Sequence, residues 1–186
     1  MKLFVIADRP PRRPIRAILS ENQVDAICTL GDLTLQDIRQ LEDVAGIPKV
    51  GVYGNHDSGT YMSSLGIENL HLATATVKGI VFGGFQGSVR YKPGEHIMYT
   101  QEQAMELLVG FPHVDVMLTH APPYGIHDEP DDPVHQGFRA LNDYIAVQHP
   151  RYLLHGHTYA PEHDRTATVG STKVIFVYQD AIVDIV

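Results

Sequence analysis

The sequence predicts an α/β protein built as a two-sheet sandwich. Three observations carry that reading. Short apolar runs alternate with segments of helical spacing, the pattern of parallel strands covered by helices. The middle and tail of the chain are rich in strand signals, which a single doubly wound sheet does not accommodate. The apolar runs end one after another in Gly, Asp, Asn or His at what a parallel sheet makes a common edge.

The elements follow in order. Residues 2–7 form an apolar run that reads as a buried strand. Residues 8–14 are a loop, and Pro14 suits the first position of a helix over 15–22. A second strand is predicted over 25–30 and a third over 48–53. Between them, Leu35, Ile38, Leu41 and Ala45 have the spacing of a helix over 35–45. A short helix near 60–65 precedes strands over 69–85, with Lys78-Gly79 as a hairpin turn. Thr100 and Gln103 make a capping-box pattern before a helix over 101–109. A strand over 114–119, a helix over 138–147 and a strand over 152–155 come next, and residues 167–186 read as two or three strands. The connection 121–137 is long and rich in Pro, Asp and Gly, and loops of that length in compact proteins are usually functional.

Composition narrows the function. At 186 residues with 44% hydrophobic content, one domain spanning 1–186 with its own core is expected. Fourteen basic against 22 acidic residues leave a net charge of −8, which argues against a nucleic-acid or membrane-surface binder. The single Cys28 excludes an intrachain disulfide framework. No apolar run reaches a membrane span, and the five apolar residues after Lys2 are too few for a signal peptide, so a cytoplasmic protein is expected. Eight of the 11 histidines fall between His113 and His163.

The strand ends hold the chemistry. The first strand runs into Asp8, the second into Gly31-Asp32, and the third into Gly54-Asn55-His56-Asp57. The strand before His120 and the strand before Gly156-His157 complete the set. A single Gly-Asp after a strand is an ordinary turn; five metal-type ends at one edge are not. Carboxylate, amide oxygen and imidazole together suit Mn, Fe, Zn or Ni.

This succession resembles the calcineurin-like metallophosphoesterases, with Gly54-Asn55-His56-Asp57 as its most specific part. The resemblance implies a four-layer α/β/β/α sandwich of two mixed sheets flanked by helices, a dinuclear metal centre and hydrolysis of phosphomonoesters or phosphodiesters. It implies that Asp32 bridges two metals, that Asn55, His120 and His157 complete one shell, and that Asp8 serves the other. His56 would donate to the phosphate or its leaving oxygen, with Asp57 orienting it.

Two positions depart from the pattern. Pro10 and Tyr159 stand where the family has histidines, both ligands of the metal held by Asp8. One tight metal and one weak or absent metal are therefore expected. Arg9 is read as partly replacing the lost charge, since a guanidinium grips phosphate oxygens bidentately. His127, Asp128 and His163 are candidate substitute ligands, and Arg90, His135 and Tyr159 candidate substrate contacts. The expected partner is a small phosphate ester or nucleotide. The alternative function is a scaffold that has lost its chemistry, against which the retained His56 and Asp57 argue.

Overall fold

The computed structural model describes residues 1–94, 96–159 and 165–186. The first sheet contains β1 (Lys2–Ala7), β2 (Ala26–Thr29), β3 (Lys49–Gly51) and β4 (Glu68–Asn69), all parallel, with β13 (Gln179–Asp184) antiparallel at the edge beside β1. The second sheet runs β11 (Thr166–Val169), β12 (Thr172–Phe176), β10 (Tyr152–His155), β9 (Val116–Thr119), β6 (Ile80–Phe85) and β5 (Thr74–Val77). Its four central strands are parallel, and β5 and β11 are antiparallel edges. A small parallel pair, β7 (Ser88–Val89) and β8 (Met98–Tyr99), stands apart.

Three cores make this a four-layer α/β/β/α sandwich. Alternate residues of β1 show why: Leu3, Val5 and Ala7 pack between the sheets, while Phe4 and Ile6 face helices on the other side. The inter-sheet core joins those residues to Cys28, Val50, Phe82, Val116, Leu118 and Leu154. Outside the first sheet lie α1 (Ile15–Glu21), α2 (Leu35–Ile38) and α3 (Tyr61–Ser64), burying Ile15, Ile18, Ile38 and Met62. Outside the second lie α4 (Gln101–Leu108) and α5 (Arg139–Gln148), burying Leu108, Leu141 and Ile145 against Met117 and Leu153. Each large apolar side chain so buried contributes about 1.5–3 kcal/mol.

Local chemistry fixes several boundaries. Thr100 and Gln103 close the expected capping box on α4. Lys78 and Gly79 both have positive φ, 49° and 82°, as a tight β5–β6 hairpin requires. The helix expected over 35–45 breaks: α2 passes into a 3-10 helix over Arg39–Asp43. Leu35, Ile38 and Leu41 are three apart, the repeat of a 3-10 helix, and Lys49 Nζ donates to the Leu41 and Val44 carbonyls at its end. Among the described residues no helix is long and apolar enough to cross a membrane.

Candidate metal centre and substrate cleft

Parallel strands from both sheets send their carboxyl ends to one edge, and hydrogen bonds tie those ends across the sandwich. His120 Nδ1, after β9, donates to the Leu30 carbonyl after β2 at 2.8 Å. The His157 amide, after β10, donates to both Asp8 carboxylate oxygens after β1, at 2.9 and 3.1 Å. Within the second sheet, the Gly156 amide donates to the His120 carbonyl at 2.9 Å. Asp8, Asp32 and His157 all have left-handed backbone, with φ of 64°, 53° and 74°. Non-glycine residues hold that conformation only when their surroundings enforce it, and such residues gather at functional sites.

The glycines of these turns give room to carboxylates. A Cβ on Gly54 would overlap the Asp32 carboxylate, and one on Gly156 would overlap that of Asp8. Close approach here brings main chain against the side chains of Asp32 and Asp8.

Ligand atoms of Asp32, His120 and His157 lie within 4.8 Å of one another. Asn55 joins them, its Oδ1 3.0 Å from His120 Nε2. The chemistry of this set fits a cation. A carbonyl only accepts, so His120 Nδ1 carries a proton toward Leu30. Neutral His120 then has its Nε2 lone pair facing Asn55 Oδ1 and, at 3.5 Å, Asp32 Oδ1. Three electron-pair donors meet with nothing positive between them unless a proton or a metal ion sits there. Electrostatics agree. Burial opposes charge on His120, but the Asp32 carboxylate overrides it and raises the pKa to about 9. Burial also opposes charge on Asp32, yet His120 and the His56 amide hold its pKa well below the carboxylate range. Burial lifts Asp8 to about 6 and pushes His157 down to about 3.

A cavity of about 400 Å³ opens over this cluster, lined by Asp8, Arg9, Asp32, His56, His135, His157 and Tyr159. Seven expected residues therefore share one cleft, with Asn55 and His120 buried behind them. Thr158 and Tyr178 also line it and are absent from the sequence-based set. The Tyr178 hydroxyl beside the Arg9 guanidinium raises the pKa of a group that is charged in any case. The same strand-end reading would have found Tyr178, because β12 runs parallel to β10 and ends two residues earlier.

Other residues fall elsewhere. Asp57 does not orient His56; among the described residues no hydrogen bond joins their side chains. Its carboxylate accepts the amides of Gly54 (2.7 Å), Leu33 (2.8 Å) and Asp32 (3.0 Å) and the Tyr61 hydroxyl (3.1 Å). Asp32 and Leu33 follow β2, and Gly54 and Asp57 follow β3, so Asp57 pins the two loops together. Burial nonetheless pushes its pKa up. Arg90 does not line the cleft: it is exposed, and its Nη2 donates to the Met98 carbonyl at 2.6 Å. The next residue, Tyr91, faces the site, its hydroxyl 3.5 Å from Asn55 Nδ2. His127 is hydrogen-bonded to His155 and Asp128 to the Gly137 amide, so neither lines the cleft. His163 lies outside the described residues. Tyr159 is 70% exposed, with its ring 4.6 Å from that of His135, whose Nδ1 bonds Asp132 at 2.6 Å.

A profile described as the calcineurin-like phosphoesterase superfamily domain matches residues 1–178. No curated protein sequence matches the chain. Its fold is similar to TT1561 of Thermus thermophilus, with a TM-score of 0.65 and 16% identity over 95% of this chain and 89% of that one. It is also similar to a hypothetical protein from the same organism, with a TM-score of 0.56 and 16% identity, covering 95% and 75% of the two chains. A protein described as a novel phosphatase of Mycoplasma pneumoniae gives a TM-score of 0.54 and 14% identity, over 96% and 72%.

Proposed function

The chain belongs to the calcineurin-like phosphoesterase superfamily, and from that premise we propose that it is a metal-dependent hydrolase of small phosphate esters or nucleotides. The observation that carries the reading is the shared cleft, in which Arg9 and His56 face the Asp32–His157 side of the ligand cluster. Asp32, Asn55, His120 and His157 would hold one divalent cation tightly, of the Mn, Fe, Zn or Ni kind. Asp8 and Asp32 would hold a second only weakly. Bound there, such ions supply positive charge to phosphate oxygens and acidify a water.

The chain's own residues do the rest. Arg9, beside Tyr178, donates two N–H groups to phosphate oxygens. It stands next to Asp8, whose expected partners are missing at Pro10 and Tyr159, and so provides charge where the second ion is weak. His56 is exposed at the cleft wall and delivers a proton to the leaving oxygen. Its own amide donates to Asp32 Oδ1 at 2.8 Å, which ties the His56 main chain to that carboxylate. Asp57 holds the two loops in register.

A scaffold is the competing reading, favoured by the exposed Pro10 and Tyr159 at the half-site. Metal analysis together with turnover of nitrophenyl mono- and diesters separates the two. Metal-dependent turnover that disappears, with the metal, in Asp32→Asn is the expected result. Metal binding without turnover of any ester would favour the scaffold. Full metal retention in Asp32→Asn would overturn the cluster.

A further inference from the structure

Two histidines stand outside this chemistry and are nonetheless built against it. His155 ends β10, fully buried, and His127 belongs to the 121–137 connection. His155 Nδ1 lies 3.1 Å from the Gly156 carbonyl oxygen, which can only accept. His155 Nε2 therefore holds a lone pair, and it receives the N–H of His127 Nδ1 at 3.0 Å. Phe176 packs on both rings, with centroids 5.5 and 6.5 Å away. The His127 backbone is fixed as well. Its φ is 57°, and its carbonyl accepts the Thr158 hydroxyl at 2.8 Å. Non-glycine residues rarely hold a left-handed backbone, so this conformation persists because its neighbours impose it.

The same connection supplies the Val134 carbonyl, which accepts His157 Nε2–H at 2.9 Å. A ligating histidine is aimed by the partner of its other nitrogen. We infer that His155 and His127 are positioning residues, a two-imidazole strut that holds the 121–137 connection against β10 so that Val134 aims His157. Asp32, His120 and His157 lie at one end of this path and the buried His155 at the other. The inference rests on the metal reading above.

Its test uses Mn²⁺ alone as the probe, with three variants. His155→Leu removes the acceptor for His127. His155→Gln restores one through Oε1. His127→Ala removes the donor from a partly exposed position, which keeps the test open should His155→Leu fail to fold. The expected result is a 10–100-fold loss of Mn²⁺ affinity in His155→Leu and His127→Ala, with most of it regained in His155→Gln. Amide exchange in 121–137 of the metal-free protein should quicken in the same two variants and return toward native in His155→Gln. Lower melting temperature with native Mn²⁺ affinity and native loop exchange would overturn the strut. If the native protein binds no Mn²⁺ the metal reading fails, and loop exchange still decides whether the strut exists.

Discussion

The Asp57 carboxylate accepts the backbone amide of Asp32 at 3.0 Å and so holds Asp32 in its left-handed conformation from 25 residues away. The carboxylate nearest His56 in sequence thus serves the main chain rather than the imidazole.

Asp57→Ala would leave the buried amides of Gly54, Leu33 and Asp32 without an acceptor. A loss of about 2–4 kcal/mol is expected, read as a lower urea midpoint with an unchanged slope. Asp57→Asn should recover only part, since its NH₂ meets an amide donor. A stability within error of native in Asp57→Ala would show the loops to be held by packing alone.

The metal-free protein should lose stability as pH rises from 6.5 to 9. His120 has a folded pKa of about 9 against 6.5 unfolded. The folded state therefore binds the extra proton, and its stabilisation is complete below 6.5 and lost on passing 9. The opposing large shifts, at His71, His155 and His157, act below 6.5; the Asp8 shift has the same sign as that of His120 and also acts below 6.5. Over the same window Mn²⁺ affinity should rise, because Nε2 ligates only when unprotonated. Thermal melts with and without Mn²⁺ at each pH check both signs, and Asp32→Asn should flatten them.

His56→Ala should keep its metal and lose turnover by about 10²–10⁴-fold. The loss should be smallest for esters of acidic phenols, which need no proton on leaving. An equal loss across leaving groups would mean that His56 binds phosphate instead.

The purified protein should hold nearer one metal than two. Pro10→His with Tyr159→His should tighten the second ion, and Arg9→Ala should raise KM while leaving metal content unchanged. Titration calorimetry and elemental analysis read the first, steady-state kinetics the second. Two tight ions in the native protein would make another ligand complete the shell; His135 already lines the cleft.

The buried parallel strands are legible because a strand covered on both faces must be a continuous apolar run, as residues 116–118 and 152–154 are. Their ligand-bearing ends follow from the shared direction. Glu68–Asn69, Ser88–Val89 and Met98–Tyr99 are illegible because two paired residues leave no periodicity. Arg90 and Tyr91 show a finer limit. Neighbours along an extended segment point to opposite sides, so an error of one residue exchanges the surface for the site. Asp57 escaped for a different reason: its partners are main-chain amides from another loop, which no side-chain pattern announces.

The first strand finds its outer neighbour at the far end of the chain, Lys2 pairing with Asp184 and Ala7 with Gln179. The Met1 ammonium donates to the Ile185 carbonyl at 2.6 Å. During synthesis on the ribosome, the strand that leads into Asp8 emerges well before its partner and keeps a bare hydrogen-bonding edge until residues 179–184 have followed. That edge is the adhesive surface of a nascent sheet. Tyr178, the neighbour of Arg9, emerges just ahead of that partner strand. The cleft is therefore assembled late, and a stalled or prematurely terminated chain carries an unguarded β-edge and an arginine without its tyrosine.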